Sequence, residues 1–190
     1  MAALNKYLEL EEITDVRNFF LEKGTVKKYK KNEFFVQRGQ KNDYAGFILK
    51  GGFRYLGYTS EGKGQIVGYS FENDFVVDYG SFQVRKTAIV DVQAIKTSTV
   101  LCLGHDELNK FYDQHRKNIR GELAETLLED IYSRLVSLYC DSPTERYLKL
   151  VEQYPDILSM VTLKEIASFI KVAPETLSRI RKKLLPPRNS

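Results

Sequence analysis

The chain is poor in the residues from which metal centres and disulfide scaffolds are built. Of its 190 residues only two are cysteine, Cys102 and Cys140, and two are histidine, His105 and His115. Two thiols cannot supply the four-thiolate set of an iron–sulfur sensor or a dense disulfide framework, so both are read as reduced and partly buried. The histidines fall near or beyond the end of a strand-rich region, without the i, i+4 or alternating-strand spacing of metal ligands, so no metal site is expected. No apolar run approaches the roughly 18 residues of a membrane-spanning helix. Met1 to Glu12 carries acidic residues where a signal peptide would be apolar, so a soluble cytoplasmic protein with no membrane partner is expected. What is there is an ordinary globular mixture, 43% hydrophobic and 28% charged, long enough for the two domains we read in it.

The net charge of +4 is unevenly placed. From Thr162 to Ser190 there are seven basic residues (Lys164, Lys171, Arg179, Arg181, Lys182, Lys183, Arg188) against two acidic ones (Glu165, Glu175), a net of +5. The remainder, with 22 basic and 23 acidic residues, comes to −1. A near-neutral body with a basic end suits a polyanion such as DNA, whose phosphates supply the sequence-independent part of affinity; a solvated helix face is the plain alternative.

Leu4 to Lys23 places Leu10, Ile13, Val16, Phe19 and Phe20 at helical spacing. From Thr25 to Gly104 the chain is rich in Tyr, Phe, Val and Ile and broken repeatedly by glycine. Short strands at Phe47 to Leu49, Phe53 to Tyr58, Gln65 to Phe71, Ile89 to Ile95 and Val100 to Leu103, with a hairpin turn at Ser60 to Lys63, predict a jelly roll or small barrel. After Gly104 there is no glycine except Gly121 and no proline before Pro143, which predicts one long helix from about Arg116 to Tyr139. On it, Ala124, Leu128, Ile131, Leu135 and Leu138 form a seam for a partner helix, and Ile119, Leu123 and Leu127 a second line for the barrel, which implies a homodimer; burial of both lines within one chain is the alternative. Ser142-Pro143-Thr144-Glu145 and Thr162-Leu163-Lys164-Glu165 are capping boxes that open helices of a C-terminal helical domain.

In that domain Ala167 is the small residue where two helices cross, while Ile166, Ile170, Val172, Leu177 and Ile180 take core spacings and Pro174 opens the second helix. Left outward are Glu175, Thr176, Ser178, Arg179, Lys182 and Lys183. These side chains can accept from cytosine, fork onto guanine or hold phosphate, so they are the candidate DNA-binding set. An ordinary helical hairpin with a wet basic face is the competing account.

Pro174 to Arg181 resembles the recognition helix of the cyclic-AMP receptor and fumarate–nitrate regulator (Crp/Fnr) family. Glu33 to Gly39 resembles that family's first barrel hairpin, Phe47 to Gly52 its next strand and turn, and Thr144 to Tyr147 with Tyr154 to Leu158 a Bacteroidetes-type branch. The resemblance implies an α+β chain: a cyclic-nucleotide-binding-like β jelly-roll barrel (1–115), a long dimerisation helix (116–140) and a helix-turn-helix DNA-binding domain (141–190). It also implies double-stranded DNA, a second copy of the chain, a small-molecule effector and RNA polymerase as partners, and base reading by Glu175 and Arg179. Four departures stand out. Pro174 occupies another base-reading position. Lys171 sits where the turn commonly has glycine, at a cost of roughly 1 kcal/mol, and Ala173 replaces a Ser or Thr cap, at about 1 kcal/mol. After Leu184-Leu185-Pro186-Pro187 no β-hairpin wing is expected.

The family's effector site has a Gly-Glu pair and, about ten residues on, Arg followed by Ser or Thr and Ala. Here Val77-Asp78 and Lys86-Thr87-Ala88 take those places. Glycine is gone, the carboxylate is a methylene shorter, and lysine cannot fork onto phosphate. The candidate effector set is Asp78, Ser81, Arg85, Lys86, Thr87 and Ser133; Arg85, read on a strand, faces away from its neighbour. These departures speak against cyclic AMP, and a surface loop, a different ligand or none are alternatives; no cofactor is expected. Tyr69, Phe71, Phe75, Tyr79 and Phe82 are read as barrel core, and a pocket between barrel and long helix as the default ligand site.

An enzyme is the rival class, since jelly rolls host metal chemistry, but Cys102 and His105 as nucleophile and base lack an orienting third group. A ligand-binding or scaffold module that no longer binds DNA is the second rival.

Overall fold

The structure is a computed structural model that describes residues 4–115 and 117–184. The expectations that touch Arg116, Leu185, Pro186, Pro187 and Arg188 lie outside the described residues. Two compact units emerge, one of Asn5–Leu128 and one holding the residues from Glu129 onward.

The first unit is built on two four-stranded antiparallel sheets. Strands β1 (Thr25–Tyr29), β8 (Ser98–Gly104), β3 (Tyr44–Lys50) and β6 (Phe75–Val76) lie side by side in that order. The second sheet runs β2 (Phe34–Val36), β7 (Asp91–Ala94), β4 (Gly52–Tyr58), β5 (Gly64–Phe71). The sequence of β8 explains its central place. Its side chains alternate, Leu101 and Leu103 entering one apolar cluster while Val100 and Cys102 enter another. A strand buried on both faces reads as a continuous apolar run, and Val100 to Leu103 is one. The second cluster lies between the sheets, with Ile48, Phe53, Val76, Val92 and Ala94 at or near zero exposure. The first joins Phe47 and Phe75 to the helices α1 (Ile13–Lys23) and α3 (His105–Gln114) and to the start of α4 (Ile119–Cys140), through Val16, Phe20, Leu108, Tyr112, Ile119 and Leu123. Tyr69, Phe71, Phe75 and Phe82 are buried in the core, as read from the sequence, and Tyr79 is half-buried against the first cluster.

Several expectations need correction. The N-terminal helix is split into a 3-10 turn, Lys6–Glu9, and α1, because Asn5 and Tyr7 are drawn inward to the buried carboxylate of Asp74. The strand expected at Ile89 to Ile95 shrinks to β7, and Ile89 is 73% exposed, its N–H turned to a side chain rather than a neighbouring strand. Arg85 is not on a strand: it follows the short helix α2 (Tyr79–Gln83) in a turn, with φ of 53°. The helices α2 and α3 and strands β1 and β6 are additional to the sequence reading. The long helix begins at Ile119, since Asn118 Oδ1 accepts from the Gly121 amide at 3.1 Å and caps it there. The Ser60 to Lys63 hairpin is as expected: Thr59 N–H donates to Lys63 O at 3.0 Å, and Gly62 takes a φ of +77° that disfavours a side chain.

The second unit holds the end of α4, then α5 (Pro143–Gln153), α6 (Ile157–Met160), α7 (Leu163–Phe169) and α8 (Pro174–Leu184). Both capping boxes form. Glu145 N donates to Ser142 Oγ and Glu165 N to Thr162 Oγ1, each at 3.3 Å, while Ser142 N reaches Glu145 at 2.8 Å and Thr162 N reaches Glu165 at 2.9 Å.

Candidate nucleic-acid interface

Helices α7 and α8 pack on each other, and α8 packs on α5. Ala167, with no exposure at all, leaves room for the crossing, and Ile166, Ile170, Leu177 and Ile180 are buried, as are Tyr147, Leu150 and Ile157. Val172 is half-buried. The turn between α7 and α8 is closed by two backbone bonds, Val172 N to Ala167 O at 2.9 Å and Lys171 N to Ser168 O at 3.1 Å. This is the pairing of a Schellman motif, which requires a left-handed residue just past the helix end. Lys171 is that residue, with φ of 54°. The sequence expectation of a side chain forced into glycine's conformation therefore describes the turn as it is.

Burying Leu177 and Ile180 inward sends the opposite face of α8 outward. Glu175, Ser178, Arg179, Lys182 and Lys183 are exposed and Thr176 is half-buried. The structure thus gathers all six candidate DNA-binding residues on one helix, acidic at its first turn and basic at its last, where Arg181, Lys182 and Lys183 also favour the helix dipole.

The candidate effector residues are placed less coherently. Asp78 is buried; its Oδ2 accepts from the Ile89 amide at 2.8 Å, and its carbonyl accepts from Asn42 Nδ2 at 2.9 Å and Ser81 Oγ at 3.1 Å. Asn42, which the sequence reading did not single out, organises this loop, also lying 3.4 Å from Ser81 Oγ. Arg85 is held elsewhere: its Nε donates to His105 Nδ1 at 2.9 Å and its Nη2 is ion-paired with Asp106. Lys86 is exposed, Thr87 bridges to Lys41 through the backbone, and Ser133 is exposed on the second half of α4. A cyclic nucleotide needs a carboxylate turned to its ribose and a guanidinium turned to its phosphate. Asp78 is occupied by an amide and Arg85 by a carboxylate, so these residues do not fit that ligand. A shallow groove of about 240 Å³ opens instead between α1 and α3, lined by Asp15, Asn18, Phe19, Glu22, Phe111 and His115.

Burial pushes the Cys102 thiol above its usual pKa, which disfavours the thiolate a nucleophile needs, and His105 is engaged with Arg85 and Asn109. Among the described residues no three His, Cys, Asp or Glu side chains are grouped to hold a metal, and no helix is long and apolar enough to cross a membrane.

Residues 26–115 match the cyclic nucleotide-binding domain family. FixK2 from Bradyrhizobium japonicum superposes with a TM-score of 0.74 at 17% identity, covering 85% of this chain and 84% of that one. The described residues have the Crp/Fnr fold. A CooA variant from Carboxydothermus hydrogenoformans gives 0.69 at 14% identity over 96% and 84% of the two chains. A Eubacterium rectale protein described as a Crp/Fnr-family transcriptional regulator gives 0.67 at 14% identity over 94% and 85%. No curated protein sequence matches the chain. The Crp/Fnr fold places a jelly roll, a long helix and a helix-turn-helix in one order, and β1 to β8, α4 and α5 to α8 follow it. In the matched domain the loop from Asp78 to Ile89 turns the polar groups of Asp78 and Ser81 to internal partners.

Proposed function

We propose that the chain is a DNA-binding transcription regulator of the Crp/Fnr type, acting as a homodimer. The observation that carries this reading is α8: a helix seated by Leu177 and Ile180 behind a Schellman turn, presenting Glu175, Thr176, Ser178, Arg179, Lys182 and Lys183 outward. Arg179 forks onto guanine, Glu175 accepts from cytosine, and the remaining hydroxyls and lysines hold phosphates and register. Residues 141–190 are the DNA-binding domain, 116–140 the dimerisation helix and 1–115 the effector domain.

The dimer is supported by α4, where Leu128, Ile131, Leu135 and Leu138 are 67%, 61%, 47% and 38% exposed, at the alternating spacing of a helix–helix seam. Burying each against a second copy would contribute about 1–2 kcal/mol. Two recognition helices would then face half-sites about 34 Å apart on a pseudo-palindrome. The effector is a small ligand other than cyclic AMP, bound near Asp78, Ser81, Arg85, Lys86 and Thr87; an anionic one must draw Arg85 from Asp106. Cytoplasmic residence, contact with RNA polymerase and the absence of catalysis follow from the regulator reading.

Selection of duplexes from random-sequence DNA with the full-length chain tests it. The expected product is a palindrome whose affinity falls steeply and log-linearly with salt. Arg179→Ala is expected to weaken binding by about 1–3 kcal/mol and to relax one base position per half-site. A chain that binds no duplex at any salt concentration is instead a ligand-binding or scaffold module.

A further inference from the structure

The end of α4, the second turn of α5 and the end of α7 meet at one guanidinium. Arg146 donates from Nε to the carbonyl of Ile170 at 2.9 Å, and from Nη1 to the carbonyls of Asp141 at 2.7 Å and, at the limit of hydrogen bonding, Leu138 at 3.5 Å. Leu138 is in the last turn of α4, and Asp141 directly follows that helix. Ile170 is the cap of α7, one residue before the left-handed Lys171. Helix C-termini leave carbonyls without intrahelical partners and carry the negative end of the dipole, so one cation can satisfy both ends at once.

The junction is braced from two further sides. Lys149, one turn along α5, holds the Asp141 carboxylate at 2.6 Å, and Ser137 donates to the same carboxylate at 2.5 Å. On α4, Arg134 pairs with Asp130 at 2.9 Å and its guanidinium lies 5.6 Å from the centre of the Phe169 ring in α7.

We propose that Arg146 is a positioning residue that fixes the direction of α8 relative to the C-terminal half of α4, by clamping the carbonyl that enters the helix-turn-helix turn. The clamp stands on this geometry; its consequence rests on the DNA reading. Arg146 commits Nε and Nη1 to carbonyls, so its role is read as aim rather than phosphate contact. If α4 sets the separation of two protomers, both recognition helices inherit any error of aim at its end. The protein then reads one half-site spacing only while the clamp holds. The planar fork matters, because it serves carbonyls on two sides from one group, which a lysine ammonium does with less direction.

The test has two arms on the full-length chain. Without DNA, Arg146→Gln is expected to speed amide exchange at Lys171 and Val172 by roughly tenfold, the loss of one charge-assisted bond, while amides around Ile180 keep their wild-type rates. Arg146→Lys should fall between. With DNA, palindromes selected by the wild type are respaced by one base pair. Arg146→Gln is expected to lose about tenfold at the selected spacing and most of its discrimination against the altered one, with the salt slope unchanged because no phosphate contact is removed. Wild-type exchange at the turn together with wild-type spacing discrimination would overturn the proposal. So would faster exchange throughout the helical unit, which marks general destabilisation. If the wild type selects no duplex, the DNA reading falls and the exchange arm alone decides the clamp.

Discussion

Asp74 is buried at the turn between β5 and β6 and gathers donors distant in the chain: Asn5 Nδ2 at 2.6 Å, the Tyr7 hydroxyl, and the adjacent Phe75 amide at 2.6 Å. Burial raises its pKa from 3.8 to about 6, although every one of those hydrogen bonds pulls the other way. Desolvation is the largest cause and outweighs them. Between the two values the unfolded chain has released a proton that the folded chain keeps. Stability contributed by this group therefore falls as pH rises through that window, by about 3 kcal/mol in all. Asp74→Asn cannot ionise, so its urea midpoint should lack the decline between pH 4 and 6 that the wild type shows; parallel curves for the two proteins would refute the assignment. Nothing in the sequence marks Asp74 as special, since two of its partners, Asn5 and Tyr7, lie 69 and 67 residues away.

At the scale of elements, the turn joining α7 to α8 is the clearest case of strain that can be relieved. Lys171 holds φ of 54° to complete the Schellman bonds. Lys171→Gly is expected to stabilise the protein by about 0.5–1 kcal/mol, less than the full steric relief because glycine also loosens the unfolded chain. Thermal unfolding measures it, and a lower midpoint for the glycine variant would mean that the lysine is not strained. The elements that could be read from the sequence share a property: their signals lie within a few residues. The capping boxes need four positions, and the buried face of α8 needs Leu177 and Ile180 three apart. Strand β1 carries no such signal. Four of its five residues are exposed, Lys27 and Lys28 among them, and it is a strand because β8, more than 70 residues later, pairs with it along an edge. Helix α3 could have been found from Leu108 and Tyr112, four apart behind Asp106 and Glu107 in its first turn.

For the whole molecule, the exposed seam on α4 carries the expectation of a dimer. Ile131→Glu or Leu135→Glu places a charge in that seam, 61% and 47% exposed in the single chain. Either should halve the mass in sedimentation equilibrium with little change in the fold of each unit, and weaken binding to a palindrome far more than Arg179→Ala does, since the second half-site is lost with the second chain. A variant that stays dimeric would place the interface elsewhere. The sequence by itself determined the order of the parts, the two capped helix starts, the outward face of α8 and the left-handed lysine, because periodicity, caps and turns are local chemistry. Tertiary structure alone decided what Asp78, Arg85 and Arg146 do. Asp78 and Arg85 had a plausible role by spacing and Arg146 had none, and each is committed to a partner that folding brings from elsewhere: Asp78 to the Ile89 amide, Arg85 to His105 and Asp106, Arg146 to the carbonyls of Asp141 and Ile170. A charged side chain states what it can bind, but which of its partners arrives first within hydrogen-bonding distance is a matter of packing, and packing is not periodic.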